Sequence, residues 1–328
     1  MSKIADWDDH IGRHLRLRDL RVFFAVMQAG SLGKAAGKLR VSQPAVSQVI
    51  ADLEHTVDAR LFDRNARGVE PTMYARALLA RGRAAFDELR QGFRDIEFLS
   101  DPTAGELTIG YPESLGGAVI PEMIALFSER YPRVLMRTDV VPSPALRFSG
   151  LRERTHDVVL ARMPSPLLPG YSVEDLNVEI LFDDPLIVVA GTQSPWARRR
   201  KVDLADLIDE QWILSPPGTL AHARVVEAFT ARGLDGPRAS VVTFTMDLRA
   251  KLPSRGPFIT AIPRSFLRLD NDRPTLKRLP VDLPSWPWPV VILTLKNRTL
   301  SPIVQRFIDC AREVAKPFAG GKKLRQSL

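Results

Sequence analysis

The sequence predicts a chain of two unlike parts: an N-terminal all-α winged helix-turn-helix continued by a long linker helix, and a C-terminal α/β domain of two lobes. Three observations carry that prediction. A hydroxyl-capped helix starting at Ser42 follows another starting at Ser31 across a tight turn, a proline-free stretch from Thr72 to Ser100 repeats apolar residues at helical spacing, and strands alternate with helices beyond Gly105.

The first part is read element by element. Leu17, Leu20, Phe23, Phe24 and Met27 recur at helical spacing, enough to cover the two helices that follow. Ser31 to Leu39 reads as a short capped helix whose Ala35 and Ala36 let another helix approach closely, and Arg40-Val41 leaves only a turn. Ser42 is then a hydroxyl N-cap, Gln43 and Pro44 open the next helix, and Val46, Val49, Ile50 and Leu53 form its apolar stripe. Its other face, Gln43, Ala45, Ser47 and Gln48, is small and amide-rich. Such a face cannot join a core, but it can enter a groove and exchange hydrogen bonds with base edges. Leu61 to Thr72 reads as two short strands about an Asn/Gly-bearing turn, a wing that brings Arg64 and Arg67 to phosphates or a minor groove.

Four short motifs follow one another here: Ser31, Ala35, Ala36 and Leu39; Ser42 to Ser47; Leu53-Glu54; and Leu61, Phe62 and Arg64. In that order and spacing, residues 17–79 resemble the winged helix-turn-helix of LysR-type transcriptional regulators. The chain departs from the family at Val57-Asp58, where Leu-Gly is usual, and at Pro71 to Ala75, where Leu-Thr-x-Ala-Gly is usual. The resemblance implies double-stranded DNA as a partner, met by Ser31, Ser42, Gln43, Pro44, Ala45, Ser47 and Gln48, with Arg64 and Arg67 at the wing. Residues 17–75 are assigned to this domain, preceded by an arm at 1–16.

Composition agrees with a polyanionic partner. The 328 residues carry a formal charge of +8, and residues 12–98 hold 15 Lys/Arg against 10 Asp/Glu, so five of the eight excess charges fall in that stretch. Cys310 is the one cysteine, which excludes an internal disulfide framework and fits a reducing compartment. The polar start, with Asp6, Asp8 and Asp9, has no signal-peptide core, and no run reaches the roughly 18 apolar residues of a membrane span. A cytoplasmic protein with no membrane contact is expected.

Residues 76–100 are assigned to the linker helix. Leu79, Gly82, Phe86, Leu89, Phe93 and Ile96 alternate spacings of three and four, an a/d seam. A helix of about 28 residues is roughly 40 Å long, so this stripe needs a partner. Its own domain could supply one. A second copy supplies one and also the two-fold symmetry of a helix-turn-helix site, so Leu79, Phe86, Leu89, Phe93 and Ile96 are expected to hold a homodimer.

After the hinge at Ser100 to Gly105, strands at Glu106 to Tyr111, Val134 to Val141 and Asp157 to Ala161 alternate with helices at Leu115 to Tyr131 and Ala145 to Thr155. That order predicts a parallel sheet with right-handed crossovers and ligands beyond the strand ends. The prolines from Arg162 to Pro166 read as a crossing into a second lobe, with strands at Val178 to Phe182, Leu186 to Ala190, Trp212 to Leu214, Ser240 to Phe244 and Phe258 to Ile262. A return is expected near Pro263 to Leu267, giving one lobe of residues 104–162 and 268–316 and another of 163–267, before a basic tail at 317–328.

This pattern resembles the effector domain of LysR-type regulators, related in fold to periplasmic solute-binding proteins. It implies a small-molecule cleft lined by Ser114 and Ser143 on one side and Thr192, Thr219 and Asp247 on the other. Helix N-termini converging there favour a carboxylate or a sugar-like metabolite, though Asp247 argues against a simple anion. The resemblance also implies dimers that assemble further into tetramers.

His10, His14, His55, His156 and His222 lack metal-ligand spacing, and no Gly-x-Ser-x-Gly elbow or dinucleotide Gly-x-Gly-x-x-Gly occurs. No cofactor, metal or catalytic residue is therefore expected. The alternative to a ligand-responsive regulator is a solute-binding or enzymatic cleft protein with an incidental helical head.

Overall fold

In a computed structural model of the chain, residues 15–65, 68–141, 148–164, 172–268, 275–281, 283–284 and 287–319 are described. They divide into two units between Arg90 and Gln91. Arg67, Ser143, most of the N-terminal arm and most of the basic tail lie outside the described residues.

The first unit opens with α1 (Leu17–Ala29), α2 (Leu32–Leu39) and α3 (Gln43–Val57). Each helix ends on a left-handed residue: Gly30 at φ 64°, Arg40 at 56° and Asp58 at 52°. Asp58 thus takes the conformation a C-cap glycine usually supplies, and its N–H bonds back to Glu54 and His55. Phe23, Val26, Ala35, Ala36, Val46, Ile50 and Leu53 fill the core between the three helices.

The wing follows as β1 (Phe62–Asn65) and β2 (Gly68–Pro71), paired antiparallel with Phe62 opposite Pro71. Glu54 explains the Leu53-Glu54 motif. Its carboxylate accepts the backbone N–H groups of Leu61 at 2.7 Å and Phe62 at 3.1 Å, tying the end of α3 to the start of the wing. At Gly68, φ is 137° and an added Cβ would lie 2.5 Å from the Gly30 carbonyl oxygen, so only glycine lets β2 approach the α1–α2 turn this closely.

Helix α4 (Met73–Ser100) runs unbroken for 28 residues. Its expected seam is divided. Leu79 packs on the first unit's core, a Cβ at Gly82 would touch the Phe24 ring at 3.0 Å, and Phe86 meets Phe24 edge-on. Further along the same face, Leu89, Phe93, Ile96 and Leu99 are exposed by 46, 69, 61 and 81%. Leu79 and Phe86, expected on the dimer seam, thus also pack within their own unit and are half-buried there, because α1 offers Leu20 and Phe24 to that half of the stripe.

The second unit holds two five-stranded sheets. The first has the order β4-β3-β5-β12-β6, with β3 (Ala104–Tyr111), β4 (Arg133–Val140), β5 (Val158–Arg162), β6 (Leu176–Asp183) and β12 (Pro289–Leu295). β3 runs parallel to β4 and β5, while β12 runs antiparallel to β5 and β6, so the sheet is mixed rather than purely parallel. The expected helix from Leu115 to Tyr131 is broken into α5 (Glu113–Gly116) and α6 (Val119–Arg130), and Ser149–Arg152 forms the single turn α7. α6 packs with α11 (Pro302–Ala315) on this sheet through Met123, Phe127 and Phe307.

The second sheet has the order β11-β7-β10-β8-β9. Its strands are β7 (Leu186–Gly191), β8 (Gln211–Leu214), β9 (Ala239–Val242), β10 (Phe258–Pro263) and β11 (Leu276–Arg278), with α8 (Leu220–Thr230), α9 (Met246–Lys251) and α10 (Arg264–Arg268) between them. Trp212 and Phe229 anchor its core.

The crossings differ from the expected ones. β6 does not enter the second lobe: it pairs with β12 from Leu176 opposite Leu295 to Asp183 opposite Pro289, and its Phe182 stacks on Phe318 in the first core. The chain crosses at Asp183 to Leu186, and it returns between β11 and β12. Prolines after β5 interrupt a strand, but only the free edge of β12 decides which sheet the next strand joins.

Candidate nucleic-acid interface and inter-lobe cleft

On α3 the capping chemistry is as the sequence suggests: the Ser42 hydroxyl accepts the Ala45 N–H at 3.3 Å, with Pro44 in the first turn. Ser42, Gln43, Pro44, Ala45 and Gln48 are exposed while Val46, Ile50 and Leu53 are buried, so the amide-bearing face is turned outward by the burial of the other. Ser47 is half-buried and lies 3.4 Å from the Arg64 guanidinium, which joins the exposed face of β1 to the helix. Gln48 donates through its amide nitrogen to Asp52 at 2.7 Å, leaving its oxygen as an outward acceptor. Ser31 stands at the N-cap of α2 without using its hydroxyl as a cap. Arg18 and Arg21 of α1, Lys34 and Lys38 of α2, and Arg40 are all exposed on the same unit. Sequence reading missed Arg18 and Arg21, which line a depression with Val41, Ala45 and Val49.

The second candidate site lies between the lobes, whose walls touch, among the described residues, at Glu113, Gly117 and Arg162. Glu113, opening α5, accepts the backbone N–H of Met246, opening α9, at 2.7 Å. Gly117 lies so close beneath Phe266 of α10 that an added Cβ would sit 2.7 Å from its ring. Arg162, at the end of β5, donates to Ser114 at 3.3 Å and to Ser265, and its ion-pair partner Asp184 stands at the crossing. Asp184 also accepts the N–H and hydroxyl of Ser265 at 2.7 and 2.6 Å. Arg162 and Asp184 are both buried, and burial pushes the Arg162 guanidinium below its usual range although Asp184 opposes the shift.

Arg249 of α9 is a second buried cation beside this cleft. It donates to the Ser215 hydroxyl at 2.7 Å, to Thr260 at 3.4 Å and to the Ala261 carbonyl, all uncharged. Burial pushes it down to about 10, against the opposing charge of Glu113. Glu113 in turn is held above the usual carboxylate range, first by burial, with the Met246 N–H and Arg249 acting against this and Asp247 adding to it.

Of the expected cleft residues, Ser114 is in this group. Thr219 is a helix cap at the same end of the second sheet, its hydroxyl accepting the His222 N–H at 3.2 Å and donating to the Pro216 carbonyl at 2.8 Å. Asp247 is exposed and paired with Lys251 at 2.8 Å, so its charge is answered on its own helix. Thr192 does not join them. It follows β7 at the end beside Phe258, whereas Thr219, Asp247 and Ser265 follow the opposite ends of β8, β9 and β10, because β7 runs antiparallel to β10. No local pattern pointed to Arg162, Asp184 or Arg249, whose partners come from other elements; Glu113 was visible only as the neighbour of Ser114.

Comparison with known proteins covers both units. Residues 17–76 match the model of the bacterial regulatory helix-turn-helix protein, lysR family, and residues 100–316 match that of the LysR substrate binding domain. The chain is 28% identical over 295 residues to the transcriptional dual regulator GltC of Bacillus subtilis, covering 90% of this chain and 96% of that one. It is 25% identical over 325 residues to the HTH-type transcriptional regulator GbpR of Azospirillum brasilense, covering 99% and 92%. In fold it is similar to a full-length OxyR variant from Pseudomonas aeruginosa, with a TM-score of 0.63 at 19% identity over 94% of this chain and 99% of that one.

Proposed function

Because this chain belongs to the LysR family of bacterial DNA-binding transcriptional regulators, we propose that it is a ligand-responsive, sequence-specific repressor or activator, not an enzyme, working in the cytoplasm as a homodimer that assembles into a tetramer. In this reading α3 lies in the major groove. Gln43 and Gln48 offer amides to base edges, Ser42, Pro44, Ala45 and Ser47 line the approach, and Arg64 and Arg67 neutralise phosphates beside it. Ser31 takes a phosphate at the start of α2.

The observation that carries the reading is the exposed amide face of α3, held outward by Val46, Ile50 and Leu53 and neighboured by Arg18 and Arg21, on a unit that also exposes Lys34, Lys38 and Arg40. A second copy covers Leu89, Phe93 and Ile96, since a two-fold operator needs two such helices. A small carboxylate or sugar-like metabolite enters between the lobes near Ser114, Ser143, Thr219 and Asp247, and by changing their spacing it changes operator binding or bending. Thr192 is left out of this set by its place in the sheet.

The test is selection of bound duplexes from a random pool by the full chain. Recovery of a two-fold consensus, lost in the Gln43→Ala, Gln48→Ala double variant, is expected. A pool that emerges unenriched at moderate salt removes the reading.

A further inference from the structure

Arg249 presents a charge problem that its own lobe does not solve. Among the described residues it makes no ion pair, and the hydroxyls and carbonyl around it are neutral, so its burial is uncompensated within the second lobe. Glu113, which belongs to the first lobe, is fastened to the second by the Met246 N–H at 2.7 Å, one turn ahead of Arg249 on α9, and the Arg249 guanidinium lies 3.6 Å from the Met246 sulfur. From there the Glu113 charge works against the effect of burial on Arg249. Parting the lobes would strip Arg249 of its counter-charge and Met246 of its acceptor at once.

We propose that Glu113 is a built-in occupant of the inter-lobe cleft, bridging the lobes as Arg249's counter-ion, and that the effector carries a carboxylate which displaces it and takes over both partners. This rests on the cleft being the effector site. It narrows the ligand class to carboxylates, since a neutral polyol would leave Arg249 unanswered when Glu113 withdraws. Asp247 sets a like charge near that position, and its exposed pairing with Lys251 answers part of it, so Arg249 and the Met246 N–H are the groups that favour an anion there.

The experiment uses the full chain, with Glu113→Ala and Glu113→Gln, and acetate against acetamide as probes. Hydrogen exchange is followed in the segment from Met246 to Leu252. Exchange is expected to quicken by about tenfold or more in the alanine variant and less in the glutamine variant, which keeps a neutral acceptor. Acetate at tens of millimolar should restore protection to the alanine variant, acetamide should not, and the wild type should respond to neither. Unchanged exchange in both variants, or equal action of acetate and acetamide, overturns the proposal. Should the alanine variant fail to fold, the glutamine variant decides, because a wild-type exchange rate there would deny the charge any part. Acetate rescue in a protein whose operator binding no metabolite fraction alters would remove the effector reading and leave the bridge. An intact metabolite response without acetate rescue would remove the bridge alone.

Discussion

Phe24 of α1 and Phe86 of α4 meet edge to face, their ring centroids 5.3 Å and their planes 71° apart. This pair divides a stripe that is continuous in sequence. Up to Phe86 the apolar face of α4 is consumed within its own unit, and from Leu89 onward it is open.

Phe86→Ala should therefore cost stability without dissociating the protein. A fully buried Phe→Ala costs about 3–5 kcal/mol, and half-buried Phe86 should cost about 2 kcal/mol. Phe93→Asp with Ile96→Asp should instead give monomers in sedimentation velocity with little loss of folding stability. Monomers from Phe86→Ala alone would reverse the assignment.

The two chemistries at the DNA face should separate in titrations. Gln43→Ala or Gln48→Ala should lower the preference for the selected operator by about 1–3 kcal/mol while leaving random-duplex binding in place. Arg64→Ala should weaken all duplexes and reduce the slope of log K against log salt by about 1. An unchanged slope would place Arg64 away from phosphate.

Asp157 is a buried junction. It accepts from Arg298 at 2.9 Å, from Arg94 of α4 at 3.0 Å and from the Thr108 N–H at 2.9 Å. Asp157→Ala removes the buried carboxylate that Arg298, Arg94 and the Thr108 N–H share and should destabilise the second unit by about 3–5 kcal/mol in urea unfolding. A loss under about 1 kcal/mol would mean that the junction relaxes.

Cys310 is buried in the first lobe's core, and burial raises its thiol above the usual range although Arg130 acts the other way. Its alkylation by iodoacetamide near neutral pH should be slow in the folded protein and fast in denaturant. Fast native modification would show that α11 opens.

How much of this was legible varies with the range of the interactions. The Ser42 cap, the stripe of α3 and the two wing strands depend on neighbours a few residues away, and they stand where the pattern puts them. Asp58 replaces a glycine at a C-cap without loss of the turn, because Asp tolerates the left-handed region. In the cleft, Ser114 could be suggested from its place after a strand. Arg162 and Arg249 could not, since Asp184, Ser265 and Ser215 reach them from distant parts of the chain.

By itself, then, the sequence determined the class of the protein: a groove-reading helix, a wing, a long amphipathic helix and a two-sheet domain. Each is written in caps, turns and periodicities that act over one or two helical turns. Tertiary structure alone decided that β6 joins the first sheet, that α1 takes half of the α4 stripe, and that Glu113 reaches across to Met246. The physical reason is that a strand edge, an apolar face and a buried charge each accept any partner of the right chemistry, and the choice among partners is made by what the rest of the fold brings within reach.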